Sequence, residues 1–381
     1  MGIFSGISRK AQEIFGSWST SQSWNAQNGY LRMYEMLGGM GTSSGISVNV
    51  KLAMSCGAVN ICSRVVTESL ASLPLALKSR KEGRTNEEKK APLYNVLARQ
   101  PNSYQTGWVL RKTFFYHAVN YGNGYARIVR RGGKAEGETI GLHLLHPNST
   151  RKEIEENGEA VYIIRNANGQ EERLRDPFVF HVPSQSDDGI TGIGAVESGR
   201  EEIAMAMAIQ RFGSAFFARG GVPAGMIIKS IPFKDQTDRE RFRSDFERLY
   251  EGPGNFFKKL ILEGGSWDYK QFGLSPTDSQ FTDTSAATVP SIARFWNLTP
   301  HLAGDLSRAH FANVEQLWIQ FLQITLNPWL VGFEQEVHRS LLSPKERDAG
   351  FYAKHNVNAF QRGDFETRMR GYATLLQNGP F

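Results

Sequence analysis

Asp187 and Asp188, adjacent in the stretch SQSDDG, are the residues whose types most directly suggest chemistry. Joined by further carboxylates, such a pair could bind a divalent cation and direct phosphoester cleavage. The Ser- and Gly-rich surroundings favour a solvated loop, while carboxylates converging from distant positions stay open as an alternative. His143 and His146 lie three apart near the end of a β-rich run, with Pro147 following, and could ligate a metal or move a proton. Their scattered setting favours structural roles. Cys56 and Cys62 have no further ligand nearby and fit two small, reduced core residues better than a zinc site. The stretch YGNGYA at 121–126 resembles half of a phosphate-binding loop, but it lacks the third glycine and the following helix, so it reads as a hairpin-like turn. GxxxxGKS/T and HExxH do not occur. No catalytic residue, metal ligand or cofactor is expected from these stretches.

The elements that would position any site follow from composition and periodicity. A chain of 381 residues can bury a sizeable core and tends to divide into more than one domain. The net charge of +6 points only weakly to a polyanionic partner. Acidic and basic residues are interspersed, with local clusters at Lys78–Lys90 and Arg239–Arg248. No long apolar run occurs, so no membrane partner is expected, and the amphipathic start MGIFSGISRKAQEIF is not expected to be a leader.

Residues 16–48 are rich in Ser, Gly, Asn and Gln, which predicts a flexible arm over 1–48. The spacing predicts a helix over 51–71 with Leu52, Val59, Ile61, Val65, Val66 and Leu70 on its apolar side. A strand at LPLALKS, a short helix at PLYNVLARQPN and a helix over 106–120 follow, the last anchored by Trp108, Leu110, Phe114, Phe115 and Val119. Four β-rich runs, 124–130, 140–146, 160–165 and 177–183, predict one antiparallel sheet or meander packed by those helices, an α+β domain. Gly189–Gly199 reads as a glycine-punctuated hinge.

Beyond it, 196–219 carries alanine, methionine and phenylalanine on nearly every side, with Glu197, Glu201 and Glu202 at its start and Gly220 closing it. A compact αβ unit comes next: the strand AGMIIKS, the charged helix TDRERFRSDFERLYE, and the strands KKLILEG and WDYKQFG. A second helix opens at SPTD, where Ser275 can cap it and Pro276 fits the first turn, and Pro290 is expected to bend or restart it. The loop LTPHLAGDLSRAHF leads into a longer apolar helix kinked near Pro328, and GDFETRMRGYATLLQNGPF reads as the start of one more.

Three of these stretches, in this order, carry a resemblance: FFARGGVPAGMIIKS, then SPTDSQFTDTSAATVPSIARFWNLTPHLAGDLSRAHFANVEQ, then QFLQITLNPWLVGFEQEVHRSLL with its GDFETRMRGYATLLQNG tail. Together they resemble the portal proteins of tailed bacteriophages, of the lambdoid siphophage type, over residues 50–381. The resemblance implies an α+β portal fold. Its parts would be an α/β wing at 49–193, stem helices at 194–220 and 275–297, and a small αβ clip at 221–274. A tunnel loop at 298–312, a long wing helix and return at 313–354, and a helical crown starting at 355–381 complete it. Portal proteins usually carry further helical sequence there, so the crown is expected to be truncated or small.

The same resemblance implies a structural protein with no catalytic activity, cofactor or metal. Its partners would be copies of the chain in a ring of about twelve, viral double-stranded DNA, the terminase large subunit, the major capsid protein and a head–tail adaptor. It would act at one capsid vertex of the virion, after assembly in the host cytoplasm. In such a ring each stem helix stands between copies of itself, so Ala204, Ala208, Ala215 and Ala218 are expected at inter-helix contacts. Arg211 and Arg219 would reach the rim or a neighbour's carboxylate. The tunnel loop would offer His301, Arg308 and His310 to phosphates, with Leu302 and Leu306 unable to grip and Asp305 able to pair Arg308. On the clip, Arg239, Arg241, Arg243, Lys258 and Lys259 are docking candidates, although alternation with acids also fits a solvated helix face. Two other readings stay open: a nucleic-acid-processing enzyme with a hidden metal site, and a ring-shaped scaffold or adaptor without DNA passage.

Overall fold

The structure, a computed structural model, describes residues 42–81, 83–166, 168–218, 225–229, 235–250, 267–271, 281–305 and 314–357. Asn49 opens α1 (Val50–Ala53) by accepting the Leu52 amide at 2.8 Å, and the chain breaks at 54–56 before α2 (Gly57–Ser72). The single helix predicted over 51–71 is therefore two pieces. Its buried side is Val59, Cys62, Val66 and Leu70, whereas Leu52 and Ile61 are exposed. After α2 come the hairpin strands β1 (Leu75–Lys81) and β2 (Arg84–Glu87), then α3 (Pro92–Tyr94), which continues as a π turn over Asn95–Arg99. The side chain of Thr106 caps α4 (Gly107–Tyr121) at the Val109 amide. Trp108, expected as an anchor of this helix, is exposed instead and donates its Nε1–H to Ser72 Oγ at 3.3 Å.

Gly122 ends α4 in the left-handed region at φ 89° and turns the chain straight into β3 (Asn123–Arg130). YGNGYA is thus a helix-to-strand corner rather than a hairpin. β4 (Thr139–Leu145), β5 (Thr150–Ile154), β6 (Ala160–Arg165), β7 (Glu171–Arg175) and β8 (Val179–Pro183) follow. They form two antiparallel sheets, ordered β4-β3-β8 and β5-β6-β7, where the hydrophobic runs predicted one. Charge hid the two extra strands. On β5, Arg151 bonds Glu153 of its own strand at 2.9 Å and Glu171 of β7 at 3.1 Å.

From β8 the chain doubles back onto the corner at Gly122. The Ser184 amide donates to the Gly122 carbonyl at 2.7 Å, and the Ile193 amide to Gln185 at 2.6 Å. The Asn123 side chain acts as a backbone surrogate: its Nδ2 donates to the Gly192 carbonyl and its Oδ1 accepts the Gly192 amide, both at 3.0 Å. A Cβ on Gly122 would overlap the Gly192 carbonyl, one on Gly192 the Gly122 carbonyl, and one on Gly194 the Asn120 carbonyl. The segment predicted as a hinge is a clasp, because its glycines permit backbone-to-backbone approach rather than motion.

Out of this clasp rise α5 (Ala195–Ser198) and α6 (Arg200–Ala218), with the Ile203 amide on the Gly199 carbonyl bridging the two. β9 (Gly225–Lys229), α7 (Gln236–Tyr250) and β10 (Trp267–Gln271) come next, and β9 pairs β10 antiparallel. α8 (Phe281–Ala293) packs along α6 and runs through Pro290 with no restart. The Ser275 cap and the strand at KKLILEG lie outside the described residues. α8 ends in a tight turn, Arg294–Trp296, where Trp296 Nε1 donates to Asn120 Oδ1 at 3.2 Å. Asn120 in turn donates to Ser63 Oγ of α2 at 2.8 Å.

The late helix is built in four stretches: α9 (Val314–Gln320), a π segment (Phe321–Leu326), α10 (Asn327–Glu336) with Pro328 in its first turn, and a second π segment (Val337–Leu341). Then α11 (Pro344–Asp348) carries the chain to β11 (Phe351–His355), which pairs antiparallel with β1. The core closes on four rings, Phe114 and Phe115 of α4, Phe180 of β8 and Phe333 of α10, with centroids 5.0–6.0 Å apart. Segments distant in sequence thus share one buried cluster.

The clasp makes a quantitative expectation. Gly192→Ala should lower stability by about 3 kcal/mol, since a methyl there displaces backbone, whereas Gly57→Ala, whose methyl meets open space in a helix, should be neutral or slightly stabilising. Urea midpoints of the two variants measure the difference, and equal midpoints would remove the clasp from the account.

Candidate functional site

The alanine-rich helix α6 is apolar on two sides, and the structure separates them. Ile203, Ala204, Ala206 and Met207 are buried in the chain's own core, and half-buried Ala208 packs against it. Ala204 is therefore spoken for within one chain, which corrects its assignment to an inter-helix contact. On the other side Met205 is 54% and Phe212 51% exposed, with half-buried Ile209 between them. Arg211 and Ala215 are exposed as well. Ala218 ends the helix, its side chain undescribed, and Arg219 lies outside the described residues. The exposed stripe at 205, 209 and 212 was available in the sequence as i, i+4, i+7 spacing. The alanines interleaved with it blur the pattern, since small residues fit a core and an exposed face equally well.

The loop over 298–312 begins by folding down rather than projecting. Leu298 and Ala303 are buried, and Leu302 packs on the core. Pro300–Ala303 form a tight turn, Asp305 closing it through its amide on the Pro300 carbonyl at 3.0 Å, with His301 and Asp305 half-buried. Its start is fixed by Asn297, in the left-handed region at φ 54°. Asn297 Nδ2 donates to the Ile324 carbonyl at 3.1 Å, and Thr325 Oγ1 donates to the Asn297 carbonyl at 2.6 Å. Leu306, Arg308 and His310 lie outside the described residues.

On α7, Arg239, Arg241 and Arg243 are exposed, and Asp235 caps the helix at the Asp238 amide, 2.7 Å. Gln236 Nε2 donates to Glu240 at 3.0 Å, so part of this surface is self-satisfied. Lys258 and Lys259 lie outside the described residues.

The carboxylate pair loses its appeal as a metal site. Asp188 Oδ1 accepts the Ile190 amide at 2.7 Å, the Thr191 amide at 2.8 Å and Ser186 Oγ at 2.8 Å, which organises the exposed turn 186–191. Burial would raise the Asp188 carboxyl, but the amides of Thr191 and Ile190 outweigh it and hold it below the usual range. Among the described residues, no three His, Cys, Asp or Glu side chains converge as metal ligands would. The Cys62 thiol is pushed up to about 12 by burial and then by Cys56, so it is no nucleophile.

The two noted histidines part company. His143 reaches Tyr104 at 3.4 Å, while His146 accepts the Asn148 amide and stacks edge-on against His117 and Tyr121. His117 is buried, with Nδ1 lacking a hydrogen-bond partner, and burial followed by His146 lowers its pKa to about 4. His181, beneath the clasp, stacks on Tyr125 and places Nε2 3.0 Å from Asn123 Oδ1. Burial, then Lys152 and Arg339, lower its pKa to about 3. Both imidazoles are neutral packing groups.

The model of a family described as phage portal protein matches residues 57–381. The portal protein of Enterobacteria phage HK97 is 25% identical over 339 residues, which cover 87% of this chain and 78% of that protein. The probable portal protein of Streptomyces phage phiC31 is 27% identical over 351 residues, 88% of this chain and 74% of that one. Among solved structures, an HK97-family phage portal protein from Corynebacterium diphtheriae matches with a TM-score of 0.59 at 12% identity, over 82% of this chain and 96% of its own. A chain from the neck of an empty gene transfer agent particle, computed with C6 symmetry, matches with a TM-score of 0.61 at 21% identity, over 88% of this chain and 95% of that one.

The buried histidines set an acid limit. Their folded pKa values lie below the unfolded value near 6.5, so stability is full above that pH and falls as protons bind the unfolded chain first. Between pH 6.5 and 4 each imidazole should remove roughly 3 kcal/mol. His117→Phe should abolish its share of that loss, read as a shallower pH dependence of the unfolding free energy. An unchanged slope would contradict it.

Proposed function

The chain belongs to the phage portal protein family, a family of structural proteins and not of enzymes, and on that premise we propose that its copies close into the channel through which viral double-stranded DNA enters and leaves the capsid. The observation that carries this reading is the family match over 57–381, which takes in the mixed helix and sheet fold described from α2 to β11. We assign the wing to 49–193 together with the late helix and β11, the stem to α6 and α8, and the clip to the unit around β9, α7 and β10. The tunnel loop narrows to the residues after Asp305, since Leu298, Leu302 and Ala303 pack on the core. The chain from 355 onward would begin the crown.

Subunits meet through the exposed Met205–Ile209–Phe212 stripe of the stem, with Ala215 allowing close approach and Arg211 reaching the rim. The number of copies is about twelve. Helices about 10 Å wide, a dozen side by side, enclose a bore of roughly 28 Å, wide enough for a duplex. The partners are viral DNA, the terminase large subunit, the major capsid protein and a head–tail adaptor, with Arg239, Arg241 and Arg243 of α7 offered for docking. The site of action is the capsid vertex, and assembly takes place in the host cytoplasm.

Mass measurement and end-on electron micrographs of the purified chain test the reading, with an open ring of about that bore expected. A closed centre would favour a scaffold without DNA passage, and a monomer under all assembly conditions would end the proposal. Phe212→Glu should leave the fold intact and abolish rings. Deletion of 306–310 should keep rings while reducing packaged DNA at least tenfold.

A further inference from the structure

One helix face is left without a task by the reading above. Between Glu315 and Glu334 no residue carries a charge. Part of this helix faces the core, where Phe321, Leu330 and Phe333 are buried. Elsewhere on it Trp318 is 49%, Ile319 40%, Ile324 50% and Val331 37% exposed, and the amides of exposed Gln323 and Asn327 lie among them. Four large apolar side chains gathered on the exposed half of one helix, with no charge among them, make a candidate contact surface rather than scattered exposure.

We propose that this face seats a second copy of the chain, as a contact of the ring distinct from the stem stripe. The proposal rests on the ring reading and adds to it a surface that the stem does not contain. Its chemistry excludes other occupants. A phosphate backbone needs cations, and the face has none. A helix lying on a membrane surface carries lysine or arginine along its polar side, and this one carries glutamine and asparagine. A neutral, apolar protein surface is what remains.

Symmetry names the protein. A closed ring of more than two copies joins unlike patches, so each copy must present at least two. Met205, Ile209 and Phe212 supply one of them, and Trp318, Ile319, Ile324 and Val331 supply another. Size points the same way. From Trp318 to Val331 the helix runs about 20 Å and is about 10 Å wide, a face on the order of 200 Å². A stable binary interface buries roughly 800 Å² on each partner. This face is too small to hold a free dimer and acts only alongside other contacts in a closed ring.

The test uses the full chain. Ile324→Asp, at a side chain half open to solvent, is compared with the wild type by thermal unfolding and by sedimentation across a concentration series. The expected result is an unchanged melting midpoint and at least a tenfold rise in the concentration at which half the chains are in rings. Assembly at the wild-type concentration would overturn the proposal while leaving the ring reading in place. If the wild type forms no ring, both fall. Should the substitution lower the melting midpoint, a photo-crosslinking benzoylphenylalanine at 324 decides instead. A covalent chain-to-chain product is expected. Crosslinks confined to one chain, or formed only with phospholipid vesicles or with another protein, would overturn it.

Discussion

The contact between two stretches of backbone at Gly122 and Gly192 is the constraint from which the placement of α5 and α6 follows. No side chain separates them, because none fits. Asn123 completes the contact by giving Gly192 both bonds that a neighbouring strand would have given, and Asn123 Oδ1 is also met by His181 from beneath. A buried polar group leaves little slack, since each bond lost is a desolvation cost left unmatched. The direction in which α5 and α6 leave the sheet is therefore set by the sheet itself.

The turn that ends α8 is held by the same corner. Asn120, three residues before Asn123, accepts Trp296 at the end of α8 and donates to Ser63 of α2. One residue beyond Trp296, Asn297 turns the chain and ties it to the π segment of the late helix through Ile324 and Thr325. Helices α6 and α8 and the late helix are thus referred to the short stretch 120–123 through hydrogen bonds of fixed geometry. A π segment at the point of attachment has a physical reason, since the wider turn lets the Ile324 carbonyl accept from a side chain outside the helix.

Much of this was legible in the sequence, and what was missed has identifiable causes. Long apolar periodicity gave α4 almost to the residue, and β-rich runs gave β3, β4, β6 and β8. β5 and β7 were invisible because their outward residues are paired charges, and a strand of EERLR type has no hydrophobic alternation to read. YGNGYA offered glycines, and glycine reports a need for freedom or for close approach without saying which. The structure answers close approach, at a site 70 residues from its partner, a pairing that no local pattern encodes. Ala204 was misplaced for a related reason. Small side chains fit equally into a core and between subunits, so smallness cannot choose, whereas Met205 and Phe212 can.

The charge pattern carries the last step. A net charge of +6 is slight for one chain, but a ring repeats every cation in step with its copies. In the proposed ring, one arginine per copy at the bore would give about a dozen phosphate contacts, more than the roughly 6–10 for which the affinity of DNA-binding proteins already falls by about 10³–10⁵ between low and moderate salt. A conduit must let the duplex slide, so a second or third cation per copy would hold what the first is enough to guide. The stretch 306–313, LSRAHFAN, has one arginine and one histidine among apolar and neutral residues. That sparseness suits the channel contact proposed for this stretch, where a ring of about twelve copies would repeat every residue as many times.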